Sequence, residues 1–374
     1  MADKGSRRMR AQRSPIWAKI VVGFGALLMV AALASGGYAK YMIDNVNDSV
    51  PTKDLGIKDD PGGDIKGPLN FLLIGSDKRK SWSSSQSDTI MVLHVNRDLN
   101  KATIVSIPRD LKVHIRKCAG GNPCDFKINS AFAAGGKDTK AAVQNLARTI
   151  KDLSSTGGTT GQPTKDDGIE FNGVAMVNFK GFYKVAKMFG TIKLCLPLKM
   201  TPDHGHGKTF PKGCNDYSYK DALLIVRERH SYFPEGHPDF DPSWGLGDYG
   251  RQHMQQQFIK QLFVRAEEEG YVSNPAKVGP LIKTLGSNVL VDLGHRSVTD
   301  FAFALRHVKP SSMKTLRLPS TTVVEYPGGT KTDFEELADD QAKQTTEDLF
   351  KAIREDNVDE WIADNPKLVN REDK

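Results

Sequence analysis

Two short segments carry the acidic and arginine residues that could bind a phosphate-containing group. The first contains Asp77, Asp88 and the adjacent pair Arg109 and Asp110. Each of these residues lies at one end of an apolar run, where an open α/β sheet presents its ligand-binding groups. Carboxylates can hold a hard divalent cation, and the arginine fork matches phosphate oxygens. The first segment therefore predicts a metal-assisted pyrophosphate site.

The second segment adds further arginines. Arg227 and Arg229 end an apolar helical run, while Arg251 and Gln255 are four residues apart at the start of the next helix. Residues with that spacing share a helix face, so arginines from a helix end and a helix start can converge on one anion. Taken singly, each acid could be a turn residue and each arginine a solvated surface charge. The coincidence of these features in one chain favours the anion site.

The elements that must position these residues alternate between strands and helices. Apolar runs predict strands at 69–74, 89–95, 102–107, 174–177 and 191–196, and helices are predicted at 137–153, 179–189, 219–230 and 250–269. This rhythm predicts an α/β fold (mixed α-β-α), with a central mixed β-sheet flanked by helices. We expect a single large domain over residues 68–355, followed by an acidic C-terminal tail at 356–374.

The N-terminal residues predict where the protein lies in the cell. The apolar stretch Ile20–Ala39 contains no charged residue and is long enough to cross a bilayer. The basic residues before it predict a cytoplasmic tail at 1–19, a transmembrane signal-anchor helix at 20–40 and a linker at 41–67. The domain would then be extracytoplasmic, on a single-pass protein of the cell membrane. A cleavable signal peptide is the alternative, because small residues lie near 32–35.

The charge distribution argues against a nucleic-acid partner. The formal net charge is +7, but most of the excess lies in the short basic tail before the apolar stretch. The remainder of the chain is nearly balanced, and it shows no zinc-finger spacing. Membrane topology therefore accounts for the basic residues, and we expect no nucleic acid as a partner.

The four cysteines agree with a location outside the cytoplasm, where disulfides form. They are Cys118, Cys124, Cys195 and Cys214. The sequence alone leaves three connectivities open. Local pairing, 118–124 and 195–214, is preferred because each pair encloses one turn-rich loop. The alternative is a zinc site that includes His204 and His206, but no Cys-x-x-Cys spacing supports it.

Together these motifs resemble the LytR-CpsA-Psr family, in its actinobacterial form. The resemblance runs from about residue 69 to 350 and rests on Gly75-Ser76-Asp77, Ser87-Asp88-Thr89, Ser106-Ile107-Pro108-Arg109-Asp110, Lys127-Ile128-Asn129-Ser130-Ala131, Arg227-Glu228-Arg229 and Gly247-Asp248-Tyr249-Gly250-Arg251 with Gln255-Gln256. Two positions depart from the family pattern, since Gln86 and Met254 stand where many members have arginine.

The resemblance implies an enzyme that moves a glycopolymer from an undecaprenyl or other polyprenyl pyrophosphate carrier to a peptidoglycan acceptor, as a phosphodiester, with Mg²⁺ (or Mn²⁺). It implies metal binding by Asp77 and Asp88. It implies catalytic roles for Arg109, Arg227, Arg229, Arg251 and Asp110, and substrate binding by Arg79, Asp248 and Gln255. Two alternatives stay open: hydrolysis of the polyprenyl pyrophosphate by water, and a non-catalytic, membrane-attached regulator or glycopolymer-binding protein.

Overall fold

The computed structural model describes residues 53–56, 64–76, 87–202, 205, 207–228, 248–270, 288–297, 300–301, 304–337 and 339–370. The predicted cytoplasmic tail at 1–19, the predicted transmembrane helix at 20–40 and most of the predicted linker lie outside these residues. Within the described ranges, no helix is both long enough and apolar enough to cross a membrane.

A mixed sheet forms the centre of the fold. Its strands are β1 (Leu69–Ser76), β2 (Ser87–Val95), β3 (Ala102–Ile107), β6 (Gly173–Asn178), β9 (Val289–Asp292) and β10 (Lys314–Arg317), in the order β10-β3-β2-β1-β6-β9. Strand β1 is antiparallel to β2 and parallel to β6, and β3 is antiparallel to β2 and parallel to β10. The carboxyl ends of β1, β3, β6 and β10 therefore share one edge of the sheet with the amino end of β2. This edge is called the site edge below.

Among the described residues, three two-stranded sheets lie outside the central sheet. They are β4 (Lys112–Ile115) with β5 (Cys124–Lys127), β7 (Thr191–Leu196) with β8 (Gly213–Ser218), and β11 (Thr321–Glu325) with β12 (Thr332–Glu336). Disulfides join Cys118 to Cys124 and Cys195 to Cys214, so both local pairings are confirmed. The second disulfide crosses directly between paired positions of β7 and β8.

Helices cover both faces of the sheet. The described helices are α1 (Asn129–Ala133), α2 (Thr139–Ser154), α3 (Phe179–Phe189), α4 (Tyr219–Ile225), α5 (Asp248–Glu268), α6 (Asp340–Glu355) and α7 (Val358–Asp364). Alternate residues of β1 enter two separate cores: Leu73 packs with α3, α4 and α5, whereas Leu72 packs with α2, α6 and α7. Burial on both faces explains the continuous apolar runs of the central strands. The result is the three-layer α-β-α arrangement.

The segment after residue 355 packs against the domain. Val358 and Trp361 of α7 are buried in the core that contains α6. Farther on, Val369 bridges to Leu316 of β10, and the Asn370 amide donates to the Thr315 carbonyl at 2.8 Å. Val369 and Asn370 therefore lie along the β10 edge of the central sheet.

Most of the strongly patterned elements are confirmed, and one predicted helix is shorter than expected. The strands β1, β2, β3, β6 and β7 and the helices α2, α3 and α5 appear near their predicted positions. Gly190 follows α3 with φ of 69°, which suits a glycine C-cap. The helix predicted at 219–230 ends at Ile225, because the Glu228 amide turns back to the Ile225 carbonyl three residues earlier. Arg227 therefore lies beyond the helix.

Candidate active site

Arg109 lies at the site edge, two residues after the end of β3. Ile90 and Ile107 are paired in the β2–β3 ladder, and the same register carried two residues farther places Asp88 opposite Arg109. Their side chains form an ion pair between Asp88 Oδ1 and Arg109 Nη1. Arg109 Nε also donates to Asp110 Oδ2 at 3.3 Å. Two carboxylates thus orient one guanidinium group.

Lys127 adds a second cation to this group. Its ammonium lies 3.0 Å from Asp110 Oδ1, so Asp110 bridges Lys127 and Arg109. The Arg109 and Asp110 side chains are about 15% and 14% exposed, and Lys127 is 20% exposed. Charges at this partial burial interact more strongly than charges in open solvent.

Backbone hydrogen bonds hold the turn that presents Arg109. The Arg109 carbonyl accepts from the Asn129 amide at 3.1 Å, and the Asp110 carbonyl accepts from the Glu335 amide at 2.9 Å. The Ile128 amide also donates to the Leu111 carbonyl at 2.8 Å. Strand β12 and the segment that joins β5 to α1 therefore support the turn from two sides.

Helix α5 brings the second arginine segment to the same edge. Arg251 is buried, and its Nη2 donates to the Asp88 carbonyl at 3.4 Å. One turn later, Gln255 accepts from the Thr89 hydroxyl at 2.9 Å and donates to the Val226 carbonyl at 3.4 Å. Val226 directly precedes the exposed Arg227. Gln255 therefore joins the start of β2 to the end of α4.

Gly75 allows β1 to lie close to β2 at Thr89. Gly75 is paired with Thr89, and a Cβ on Gly75 would lie 2.9 Å from the Thr89 Cβ. Any side chain at residue 75 would therefore push Thr89 away from Gln255. The glycine of the Gly75-Ser76-Asp77 motif has a packing role in addition to its position before the predicted metal ligand.

A buried glutamine ties α5 to the sheet. Gln256 Nε2 donates to the Ser106 hydroxyl at 2.7 Å and to the Leu316 carbonyl at 2.9 Å. Its Oε1 accepts from the Asn370 side chain. Gln256 therefore joins strands β3 and β10 and the C-terminal segment to the helix that carries Arg251.

The structure brings together Asp88, Arg109, Asp110, Arg251 and Gln255, with Arg227 following the residue that Gln255 contacts. Asp77, Arg79, Arg229 and Gln86 lie outside the described residues, as do His204 and His206 and the side chain of Asp248. Met254, which replaces a family arginine, is fully buried in the core beneath α5. An arginine there would bury a charge in an apolar environment.

Sequence reasoning assigned no role to Lys127, Thr89 or Gln256. The sequence did contain an indication of their importance, because all three residues lie within the motifs that carried the family resemblance. Their partners are 17 to 166 residues away along the chain, as the Thr89–Gln255 separation of 166 illustrates. Only the folded arrangement assigns these contacts.

The side chains at the site edge suit an anion with an associated metal ion. Arg109, Arg251 and Lys127 lie together here with the carboxylates of Asp88 and Asp110, and guanidinium and ammonium groups are the side chains that bind phosphate oxygens. The Asp88 side chain is 31% exposed, and carboxylate oxygens are ligands that Mg²⁺ prefers. Among the described residues, no cluster of three or more His, Cys, Asp or Glu side chains could hold a metal ion by itself. Phosphate oxygens and water would have to complete a metal site at Asp88.

Comparison with known sequences gives one family and several relatives. The LytR_cpsA_psr family model matches residues 37–351. Cell wall biosynthesis protein LcpA of Corynebacterium glutamicum is 25% identical over 328 residues, which cover 81% of this chain and 60% of that protein. Polyisoprenyl-teichoic acid–peptidoglycan teichoic acid transferase TagU of Bacillus subtilis is 26% identical over 320 residues, covering 82% of this chain and 90% of TagU. The chain thus spans less than two thirds of the corynebacterial relative.

Solved structures share the fold. B. subtilis TagV superimposes with a TM-score of 0.55 at 21% identity, covering 78% of this chain and 98% of TagV. A structure of TagT bound to LIIa-WTA gives a TM-score of 0.53 at 20% identity, covering 80% of this chain and 93% of that one. At these identities the likeness establishes the α-β-α architecture.

Proposed function

Because the chain belongs to the LytR_cpsA_psr family, we propose that it is a transferase that links a cell-wall glycopolymer, delivered on a polyprenyl pyrophosphate, to peptidoglycan. The observation that carries this proposal is the Asp88–Arg109 ion pair at the site edge, with Arg251 donating to the Asp88 carbonyl. Guanidinium groups already oriented by the protein bind phosphate oxygens without a further ordering cost. The name of TagU, a teichoic acid transferase acting on peptidoglycan, supports the class of polymer and acceptor.

The reaction exchanges one P–O bond for another. A hydroxyl oxygen of peptidoglycan attacks the phosphorus atom that carries the glycopolymer. The bond from that phosphorus to the bridging pyrophosphate oxygen breaks, and polyprenyl phosphate leaves with the electron pair of that bond. The proton of the attacking hydroxyl passes through water to the departing phosphate. The product is a phosphodiester between glycopolymer and peptidoglycan. In the transition state, negative charge is spread over the phosphoryl oxygens. Oriented cations stabilise this charge.

In this proposal each described residue has a physical task. Arg109 and Arg251 bind non-bridging phosphate oxygens. Asp110, which contacts both Arg109 and Lys127, holds the Arg109 fork in place. Gln255 keeps the end of α4 next to the site, so that Arg227 can reach the same anion.

We propose that Asp77 and Asp88 hold Mg²⁺ (or Mn²⁺). The support is the carboxylate of Asp88 at the site edge and the position of Asp77 directly after β1 in the sequence. When bound, the metal ion would neutralise charge on the pyrophosphate. Arg109 would still be oriented by Asp110 if Asp88 turned toward the metal ion.

We also propose that the domain is extracytoplasmic and anchored by residues 20–40 as a single transmembrane helix. The support is the uncharged stretch Ile20–Ala39 and the basic residues before it. Such an anchor would keep the site close to a lipid-linked donor.

The proposal is tested with the full chain in nanodiscs, a synthetic polyprenyl-pyrophosphate glycan, Mg²⁺ and peptidoglycan fragments. Mass spectrometry should detect a glycan–phosphate–peptidoglycan product. Arg251→Ala should lose this product, whereas Arg265→Ala, on the same helix but in surface ion pairs with Asp216 and Glu268, should keep it. Release of glycan phosphate without linkage would make the protein a hydrolase. A folded protein that consumes no donor would contradict both enzymatic functions.

A further inference from the structure

One lobe of the domain concentrates positive charge. This basic lobe consists of α3, β7, β8, α4 and their connections, residues 179–226, and it contains eight lysines and three aspartates. Two of the aspartates are paired with cations, since Asp216 lies 3.5 Å from Arg265 and Asp221 lies 2.5 Å from Lys208. Outside this lobe and the N-terminal tail, acids slightly outnumber bases. The charge excess of the domain is therefore local.

Helix α3 arranges its lysines along one face. Lys180, Lys184 and Lys187 are spaced by four and three residues, which places them on the same side of a helix. Helix α3 contains no acidic residue. Burial and the neighbouring charge of Lys180 both lower the pKa of Lys184, as expected for crowded cations. The opposite side of the helix is held by the core, where Phe182 packs on Phe258 with 4.6 Å between ring centroids.

A tyrosine pair lies among these lysines. Tyr183 of α3 and Tyr219 of α4 meet edge to face at 5.6 Å, and their hydroxyl groups are 3.4 Å apart. The Lys220 ammonium lies 6.0 Å from the Tyr219 ring. The positive charges of Lys187 and Lys220 both act on Tyr183, although its hydrogen bond with Tyr219 raises its pKa overall. Lys187 and Lys220 therefore flank the pair from different helices.

The outer lysines remain available to a partner. Lys180, Lys187 and Lys220 are exposed. In the part of the chain that the structure describes, they form no salt bridge, whereas Lys208 of the same lobe is paired with Asp221. An exposed set of like charges on two neighbouring helices is complementary to an extended anionic surface.

The lobe borders the candidate active site. Asn178, the last residue of β6, is paired with Ser76 at the end of β1, so α3 begins at the site edge. Helix α4 ends at Ile225, one residue before the carbonyl that Gln255 contacts. A surface that binds the basic lobe would therefore also lie beside the anion site.

We infer that the basic lobe rests on a membrane surface rich in anionic lipid headgroups and turns the site edge toward the bilayer. This inference rests on the proposed function, because a polyprenyl pyrophosphate donor keeps its hydrocarbon chain in the membrane. Lysines are attracted to an anionic leaflet, and tyrosines suit its interface. The exposed lysines come from two neighbouring helices, α3 and α4, and such a spread of charge matches a plane of headgroups better than a single polymer chain.

The test measures how close the lobe lies to lipid and needs no catalysis, so an inactive protein would still answer it. All four cysteines are in disulfides, so one added cysteine can carry a fluorophore. The full chain is labelled at Thr191→Cys, an exposed position after α3, and placed in nanodiscs that contain a headgroup-linked acceptor dye. A label at Lys351→Cys, on α6 across the sheet, is the positional control. The nanodiscs contain phosphatidylcholine alone or with phosphatidylglycerol.

Energy transfer from residue 191 should increase with phosphatidylglycerol and fall again at high salt, while transfer from residue 351 should not increase. The triple change Lys180→Glu, Lys187→Glu and Lys220→Glu should abolish the increase, because each lysine contributes on the order of a fivefold factor at an anionic surface. The matched control reverses three exposed lysines elsewhere, Lys117, Lys137 and Lys331, and should keep it. Circular dichroism checks the fold of each variant.

Two results would overturn the inference. One is energy transfer from residue 191 that does not respond to phosphatidylglycerol. The other is a response that survives the triple change. If soluble polyphosphate binds the full chain in a manner that depends on Lys180, Lys187 and Lys220, without any lipid response, the lobe is assigned to an anionic polymer instead.

Discussion

Gln256 on α5 donates a 2.7 Å hydrogen bond to the hydroxyl of Ser106, the residue three positions before Arg109. This contact joins the helix of Arg251 to the strand that presents Arg109, across 150 residues of sequence. Both side chains are almost completely buried. The relative position of the two arginines therefore depends on a polar contact in the core beneath them.

Replacing Gln256 should destabilise the domain and reduce transfer. Gln256→Met keeps a similar volume but leaves the Ser106 hydroxyl, the Leu316 carbonyl and the side-chain amide of Asn370 without this partner. A buried polar group that loses its hydrogen bond costs about 1–3 kcal/mol. Urea unfolding should show a lower midpoint, and Gln344→Met, at an exposed site on α6, should show almost none of this loss. Equal midpoints for both variants would contradict the role of Gln256.

Arg109→Lys should lose most of the transfer activity even though the charge is retained. Lysine cannot contact Asp88 and Asp110 through one planar fork as Arg109 does. A charge-assisted hydrogen bond is worth about 1.5–3 kcal/mol, so the turnover rate should fall at least about tenfold. Single-turnover kinetics with the lipid-linked donor measures this rate, with Arg265→Lys as the control. Wild-type turnover in Arg109→Lys would show that the fork is not used.

Asp88→Asn and Asp110→Asn should separate metal binding from arginine positioning. Both carboxylates contact Arg109, but only Asp88 is proposed as a metal ligand. Loss of a carboxylate ligand weakens the binding of a hard cation. Activity titrated with Mg²⁺ should therefore require a higher concentration in Asp88→Asn, while Asp110→Asn should lower the rate at an unchanged Mg²⁺ midpoint. The same midpoint in both variants would argue against Asp88 as a ligand.

His94 should make the domain less stable as the pH falls. Burial lowers the pKa of His94, and the Asp356 carboxylate 3.1 Å from Nε2 only partly opposes this effect. The unfolded chain then binds a proton more readily than the folded chain. The stabilisation is complete above about pH 6.5, the unfolded value, and is lost as the pH falls from there through the folded pKa. Melting temperatures across this range should show a weaker acid dependence in His94→Gln.

The control for His94 is His307→Gln, which changes an exposed histidine. Its melting temperature should follow the pH dependence of the wild type. An equal acid dependence in the wild type and in His94→Gln would show that another group governs the acid loss of stability.

Removal of the Cys195–Cys214 disulfide should cost more stability than removal of Cys118–Cys124. The first closes a loop of sequence separation 19, and the second a loop of separation 6. Because a longer loop loses more entropy when it is closed, the first bond should contribute about 3 kcal/mol and the second less. Thermal unfolding of the paired Cys→Ser variants, with and without reductant, measures the difference. The reverse order would indicate that loop entropy is not the main contribution.

The sequence by itself determined four of the six described central strands (β1, β2, β3 and β6), the helices α2, α3 and α5, and the residue types of the site. Strand β1 reads as continuous apolar residues because both of its faces are buried. Helix α3 shows helical periodicity and ends at Gly190. The acids and arginines stand beside such elements, so their presence at the site edge follows from local patterns. Those patterns act over a few residues, and a single sequence carries them.

Only the tertiary structure decided which of these residues meet. Strand β8 was not predicted because its sequence Gly213–Ser218 is largely polar, and it is held by pairing with β7. The end of α4 at Ile225 and the bridging of Asp110 by Lys127 likewise depend on chain turns and neighbours that no local pattern specifies. Contacts such as Thr89 with Gln255 join residues 166 positions apart. Such pairings are set by how the layers pack together, and packing is a property of the whole folded chain.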